Sequence, residues 1–411
     1  MKLKLKPHKY QDEAIEFAFQ KTYSINAFTM GLGKTLVGIG LACKVGADKV
    51  LVICPAFLKI NWRQEIEKFC DSPKRFTIVS YDGVKKVSGK FGDYDCVILD
   101  ECHYIKNIKA KRTKLIHGYV AEHRPKFLLQ LSGTPIKNRV PEFYSLLRLC
   151  WLGGKYPEFK PYAPSIWDFQ NKFTKKKTIY FGSKKVIKFE GLKNPEQLRD
   201  LIKPIYLRRK AEDVLDLPEQ VHTDLVMEDK ARTDSLLETA WENYNSNGKK
   251  SESFMSGKAV NALAKTQYTV DFIKDQFESG ATDRVIVFTD HVKAAKKIHA
   301  EFDPGIAKYV TGEVSNEQRA FYVDLINEGK IKVLVSTIGS LSVGVNITGV
   351  NCMIFNDFAW VEADMEQARK RIHRIGQKNH CFYYYIYSSN MDKHIYKTLK
   401  KKQELIQEVD R

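Results

Sequence analysis

Residues 94–102 read Tyr-Asp-Cys-Val-Ile-Leu-Asp-Glu-Cys, an apolar run that ends on two carboxylates. Such a run suits a parallel strand covered on both faces, and open α/β sheets bind ligands at the carboxyl ends of those strands. Outward from it, residues 49–56 (KVLVICPA) and 126–136 (KFLLQLSGTPI) repeat the pattern, the second ending in turn residues. Helical periodicity alternates with these strands. Residues 10–21 carry apolar side chains at 14, 15, 17, 18 and 19, residues 35–44 follow a glycine turn, and residues 60–69 are apolar at 60, 62, 66 and 69. The same grammar returns later, with strands at 284–291, 332–338 and 351–358 and a helix over 292–302. Alternation of this kind predicts two doubly wound α/β lobes.

A chain of 411 residues exceeds what one core usually organises, which fits that division. Between the lobes lie an aromatic, Lys-rich stretch (151–190) and a polar, helix-favouring one (229–280). A terminal helix is predicted over 392–411, packed back on the core. The 67 Lys and Arg residues outnumber 49 acidic ones, and a net charge of +18 favours a polyanionic partner. None of the eight cysteines forms a CxxC pair or a Cys/His metal spacing, so reduced thiols and an intracellular setting are expected. No apolar run approaches the roughly 20 residues that span a bilayer.

Two motifs carry chemistry in the first lobe. In Met30-Gly31-Leu32-Gly33-Lys34-Thr35 a glycine turn precedes a helix, where backbone N–H groups can wrap phosphate oxygens. Lys34 would reach the β and γ phosphates and Thr35 would offer its hydroxyl to Mg²⁺. Phe28 stands where the full phosphate-loop pattern has its first glycine. Asp100 would hold the Mg²⁺ and Glu101 would act as general base on water. In the second lobe, residues 367–377 (QARKRIHRIGQ) place Arg371 and Arg374 three apart, expected on one helix face and suited to stabilising charge on a γ phosphate.

The ordered set MGLGKT (30–35), DECHYIKN (100–107), LSGTPIKNRVPEFYSLLRL (131–149), LRRKAEDVLDLP (207–218) and QARKRIHRIGQ (367–377) resembles the Snf2 family of superfamily 2 helicase-like ATPases. The resemblance runs from about residue 5 to the end. It implies two RecA-like parallel-sheet lobes with helical and hairpin insertions. The first would span 1–222, with an insertion at about 151–206 and a linker at about 207–222; the second would span 223–411, with a helical insertion at about 226–280. It also implies an ATP and Mg²⁺ site in which Gln11 reads adenine, Met30 to Thr35 cradle phosphates, Gly344 lies at the nucleotide, and Arg371 and Arg374 act as fingers. Ser132-Gly133-Thr134 would couple hydrolysis to lobe closure, and Ser336 and Thr337 would meet a nucleic-acid backbone. The sequence departs from the family at Phe28-Thr29, where an acidic pair is usual, and at Trp360-Val361-Glu362, where Trp-Asn-Pro is usual.

Residues 172–191 hold seven lysines around Gly182-Ser183, which reads as a hairpin. Lys175, Lys176, Lys177, Lys184 and Lys185 are candidate duplex contacts, and this stretch resembles the branch that anneals strands and remodels forks. The expected function is ATP-dependent translocation on double-stranded or branched DNA, largely without sequence preference, by a monomer in replication, repair or recombination. The compartment would be bacterial or virus-infected cytoplasm, or a nucleus. An RNA helicase would carry DEAD and SAT in place of DECH and SGT, and a restriction motor would need a further domain. A nucleotide-gated DNA clamp that scarcely hydrolyses is the alternative from another class.

Overall fold

Short Val/Ile/Leu runs, apolar on both faces, build the interior of two parallel sheets. The computed structural model describes residues 1–411 except 30, 88–92, 137–138, 182–183, 228–251, 342–345, 389 and 411. The chain divides into two units, Met1–Val214 with Lys402–Arg411, and Leu215–Lys401.

The first unit runs α1 (Lys9–Lys21), β1 (Tyr23–Phe28), α2 (Lys34–Lys44), β2 (Val50–Cys54), α3 (Lys59–Phe69), β3 (Phe76–Ser80), α4 (Val84–Val87), β4 (Cys96–Asp100), α5 (Lys111–His123), β5 (Phe127–Ser132), α6 (Tyr144–Leu152), α7 (Ile166–Phe173), β6 (Lys175–Phe181), β7 (Lys184–Glu190), α8 (Pro195–Ile202), β8 (Tyr206–Arg209) and α9 (Ala211–Val214). Its sheet has the order β3-β2-β4-β5-β1-β8, parallel throughout. Side chains alternate across it. Val97 and Leu99 of β4 join a core with Tyr23, Leu51, Ile53, Leu128 and residues of α5 to α8, whereas Ile98 faces α2.

The aromatic stretch after residue 151 is part of that core. Tyr144, Phe159, Tyr162, Phe169 and Phe173 interlock with ring centroids 4.9–6.1 Å apart. They anchor α7 and the antiparallel pair β6-β7, whose strands flank Gly182-Ser183; those two residues lie outside the described ones.

The second unit holds β9 (Gln220–Val226), α10 (Glu252–Ala264), α11 (Thr266–Glu278), β10 (Val285–Thr289), α12 (Val292–Ala300), β11 (Ala307–Val310), α13 (Asn316–Asn327), β12 (Val333–Thr337), α14 (Ile338–Leu341), β13 (Cys352–Phe355), α15 (Glu362–Arg369), β14 (Cys381–Tyr387) and the start of α16 (Asn390–Asp410). Its sheet order is β11-β12-β10-β13-β14-β9, again parallel. Ile395 and Leu399 of α16 are buried against it.

The two ends of the expected linker at 207–222 are sheet. Leu207 to Arg209 pair with β1 at one edge of the first sheet, and residues 220–226 pair with β14 at one edge of the second. A boundary at 222 would cut β9, and the structural division comes earlier, between Val214 and Leu215. Unsatisfied edge N–H and C=O groups explain why a connecting segment is drawn into both ladders.

His117 on α5 is buried beside α6, with Nε2 3.2 Å from Ser145 Oγ and Nδ1 3.3 Å from Arg148 Nη1. Ser145 Oγ donates to the Ile105 carbonyl at 2.5 Å. Arg148 can only donate, so Nδ1 accepts and Nε2–H donates to Ser145. Burial, reinforced by the Arg148 charge, pushes this imidazole down to about 4. The folded pKa is depressed, so the unfolded chain takes the proton first as pH falls. Stability from neutral His117 is complete above about pH 6.5 and lost toward pH 4, on the order of 3 kcal/mol in full. Thermal unfolding midpoints at pH 7.5 and pH 5 should therefore differ less in His117→Gln than in the unaltered chain; equal differences would contradict this assignment.

Candidate functional site

Three strand ends converge in the first unit. β5 lies between β1 and β4, with Ala27 paired to Ser132 and Asp100 paired to Leu131. The register brings the segments after Phe28, Asp100 and Ser132 to one edge of the sheet, where the loops carry the chemistry-bearing residues.

The loop from β1 to α2 turns on glycines. Gly31 and Gly33 adopt φ of +87° and +70°, which L side chains rarely adopt. Gly33 is the N-cap of α2, so Lys34 and Thr35 open a helix whose first N–H groups lack intrahelical partners. A Cβ on Gly33 would stand 2.4 Å from Gln11 Nε2. The Gln11 amide holds this turn: Nε2 donates to the Leu32 carbonyl at 3.0 Å and Oε1 accepts from His8 N at 3.0 Å. Its polar atoms are thus engaged on the loop, a role that the adenine-reading expectation for Gln11 did not include. Lys34 Nζ donates to the Phe28 carbonyl at 3.2 Å. Phe28, the departure from the glycine pattern, is fully buried with its ring 6.3 Å from that of Tyr10 on α1. Only its backbone serves the loop. Met30 lies outside the described residues.

At the end of β4 both carboxylates are buried, Asp100 at 4% and Glu101 at 6% exposure. Asp100 Oδ1 accepts the Glu101 N–H at 2.9 Å and Oδ2 accepts the Trp62 indole N–H at 2.8 Å, while the Asp100 carbonyl accepts the Tyr81 hydroxyl at 2.9 Å. Burial and the Glu101 charge push the Asp100 carboxyl up to about 6, against the opposing pull of the indole hydrogen bond and Lys34. Glu101 sits at φ +49°, ψ +53°, a left-handed conformation uncommon for a side-chain-bearing residue. Strain of this kind persists where surrounding contacts over-determine it, and it clusters at functional sites. Glu101 Oε2 stands 3.3 Å from His103 Nδ1 and 3.5 Å from Ser132 Oγ, and His103 Nδ1 is 3.2 Å from Ser132 Oγ. Ser132 Oγ also accepts from Thr134 N at 3.1 Å, so the loops after β4 and β5 share one hydrogen-bonded cluster.

A nucleotide with a hard divalent cation suits this donor set. Among the described residues no group of three or more His, Cys, Asp or Glu forms a metal cluster. One carboxylate, one hydroxyl, phosphate oxygens and water are the ligands Mg²⁺ ordinarily takes. The left-handed glycine turn ahead of α2 gives backbone approach to phosphate without a Cβ in the way.

The sequence assigned no site role to three groups found here. Trp62 and Tyr81 come from outside the loops, and Arg208 on β8 donates through Nη1 to the Ala27 carbonyl at 3.2 Å and to Gly133 at 2.8 Å, tying the first and third loops together. Trp62 belongs to a helical pattern and Arg208 to the LRRK stretch, neither of which specifies a tertiary partner, and Tyr81 carries no pattern at all.

In the second unit the expected helix through Arg371 and Arg374 stops at Arg369. The Arg371 carbonyl accepts from Ile347 N at 3.2 Å instead of from its own helix, and His373 is 2.9 Å from the Pro218 carbonyl. These tertiary bonds, with Gly376 at φ +99°, turn the chain out of helix. Arg371 is 3% exposed, with Nε donating to the Gln367 carbonyl at 3.2 Å. Arg374 is half-buried, and desolvation lowers its pKa from the usual arginine value. Ser336 is fully buried and donates to the Thr337 carbonyl at 2.9 Å, which withdraws its hydroxyl from the surface where a DNA contact was expected. Thr337 Oγ1 is 2.6 Å from Ser340 Oγ. Gly344 lies outside the described residues.

On the hairpin, Lys175, Lys176 and Lys177 are exposed, and Lys176 Nζ lies 5.6 Å from the centroid of the Trp167 ring. Lys184 and Lys185 are placed by their strand register alone, opposite Phe181 and Tyr180.

The glycine turn is directly testable. Gly33→Ala adds left-handed backbone strain of about 1–2 kcal/mol and drives a methyl into Gln11, and should weaken binding of a fluorescent ATP analogue about tenfold or more. Gly46, at φ +64° with nothing within 4 Å, is the control. Gly46→Ala should leave binding unchanged, and equal affinities in the two variants would remove Gly33 from the site.

The SNF2-related domain profile matches residues 77–275, and the helicase conserved C-terminal domain profile matches residues 264–376. The chain is 27% identical to the Caenorhabditis elegans SWI/SNF-related matrix-associated actin-dependent regulator of chromatin subfamily A-like protein 1 homolog, over 92% of this chain and 58% of that protein. It is 23% identical to the human DNA annealing helicase and endonuclease ZRANB3, over 98% of this chain and 40% of that protein. A Bacillus subtilis (strain 168) protein described as an uncharacterized ATP-dependent helicase, YqhH, is 26% identical over 94% of this chain and 76% of its own length. The chain thus spans about half the length of the first two relatives. With its SNF2-related and helicase C-terminal domains in tandem, the chain belongs to the Snf2 family of helicase-like ATPases.

Proposed function

We propose that the chain hydrolyses ATP, with Mg²⁺, to move along double-stranded or branched DNA. The observation that carries this reading is the convergence of Lys34, after β1, and Asp100 and Glu101, after β4, at the carboxyl end of one sheet on either side of β5, with Asp100 and Glu101 buried and hydrogen-bonded.

Lys34 exchanges the Phe28 carbonyl for phosphate oxygens, and the N–H groups opening α2 take the remaining phosphate charge. Thr35 and Asp100 would hold the metal, which when bound would screen charge on the phosphates. Glu101 takes the proton of the attacking water. Its contacts with Ser132 and His103 fix the carboxylate and give the loop after β5 a means of sensing its state. Arg371 and Arg374 are the groups expected to stabilise charge on a γ phosphate as the bond breaks, a role worth ~10³ to 10⁵ in rate for such fingers.

Duplex DNA is favoured as partner by charge and by the hairpin. The net +18 charge supplies a sequence-independent attraction to phosphate. Lys177 lies directly opposite Lys188 in the β6-β7 register. The exposed Lys175, Lys176 and Lys177 stand in succession on β6. Relatives that include an annealing helicase support the same class of substrate.

ATP turnover measured with duplex DNA, single-stranded DNA and RNA tests the proposal. Duplex should stimulate most, less so as salt rises, and Lys34→Ala should abolish turnover in every case. Stimulation by RNA alone would overturn the DNA assignment. Replacing Lys175, Lys176 and Lys177 together by Ala should leave DNA-free turnover intact while reducing the log–log salt slope of duplex binding by about 2–3; an unchanged slope would remove the hairpin from the DNA path.

A further inference from the structure

Trp62 on α3 is fully buried, yet its indole N–H points at a carboxylate, Asp100 Oδ2, at 2.8 Å. With the Glu101 N–H on Oδ1 at 2.9 Å, each oxygen of Asp100 holds one N–H donor, and rotation of the carboxylate would break both bonds. The ring is itself fixed. A Cβ on Gly38 would stand 3.0 Å from Trp62 Cη2 and 3.4 Å from the Ile98 methyl carbons, so glycine at this point of α2 leaves the space the indole needs. α2 is the helix that opens on Lys34 and Thr35, and Ile98 belongs to the strand that ends on Asp100. One ring therefore touches the helix with the phosphate-binding residues and the strand with the acid.

We propose that Trp62 is a positioning residue for the divalent cation that accompanies the nucleotide: its indole N–H orients the Asp100 carboxylate, and Gly38 admits the ring that does so. The inference rests on the nucleotide reading above and concerns how the chain's own residues prepare the metal ligand. Outer hydrogen bonds of this kind typically change metal affinity or activity by about 10–100-fold when removed.

Trp62→Phe keeps a ring and removes the donor. Fluorescent ADP is titrated into the unaltered chain and the variant, first without metal and then across a Mg²⁺ series. The variant should bind metal-free ADP as the unaltered chain does. The Mg²⁺ concentration giving half of the metal-dependent gain should rise about 10–100-fold. An unchanged Mg²⁺ requirement overturns the role of Trp62 and leaves the nucleotide reading standing, whereas failure of the unaltered chain to bind ADP at any Mg²⁺ concentration overturns both. A second measurement does not depend on the variant's stability. In the chain labelled with 5-fluorotryptophan, the ¹⁹F signal displaced by Asp100→Ala should be displaced by Mg²⁺ with ADP; displacement of other signals alone overturns the proposal.

Discussion

Two adjacent carboxylates buried at the end of one strand set the terms for the first unit. An uncompensated buried charge costs several kcal/mol, and two within one residue repel each other as well. The fold answers with donors from four directions: the Trp62 indole from α3, the Glu101 N–H, and the side chains of Ser132 and His103 around Glu101. Burial still pushes Asp100 up to about 6, so the pair is only partly compensated within the protein. A cation brought in with a nucleotide would complete that compensation, which is the physical reason for reading these acids as a site and not as a structural ion pair.

Much of this was legible in the sequence because it is written in local patterns. The six runs of branched apolar residues and the helices between them are short-range signals, and they fall where β2, β4, β5, β10, β12 and β13 stand. Strands with weaker or mixed patterns escaped. Tyr23–Phe28 reads Tyr-Ser-Ile-Asn-Ala-Phe, and its polar members Ser24 and Asn26 are buried, Asn26 donating to the Ala14 carbonyl of α1 at 3.5 Å. Residues 207–209 and 220–222 read as linker because they become strand only by lying against sheet edges.

The site divides in the same way. Lys34, Asp100 and Glu101 were found because glycine turns and strand-end acids are contiguous in sequence. Trp62 and Arg208 were not, because an indole reaching 38 residues along the chain and a guanidinium reaching back to Ala27 leave no periodic trace. The spacing of Arg371 and Arg374 suits a helix, and two tertiary hydrogen bonds, from the Ile347 N–H to the Arg371 carbonyl and from His373 Nε2 to the Pro218 carbonyl, outweigh that preference. Their side chains belong to a turn held by partners distant in sequence, a setting that fixes a guanidinium more firmly than an exposed helix face would.

On the proposed function the buried acid pair performs hydrolysis and is not merely a nucleotide-sensing contact. Single-turnover hydrolysis of ATP by Glu101→Gln, beside the unaltered chain with Mg²⁺ and saturating duplex DNA, tests it most directly. ATP binding should be retained while bond cleavage slows about 10²–10⁴-fold. Equal rates in the two proteins would contradict it.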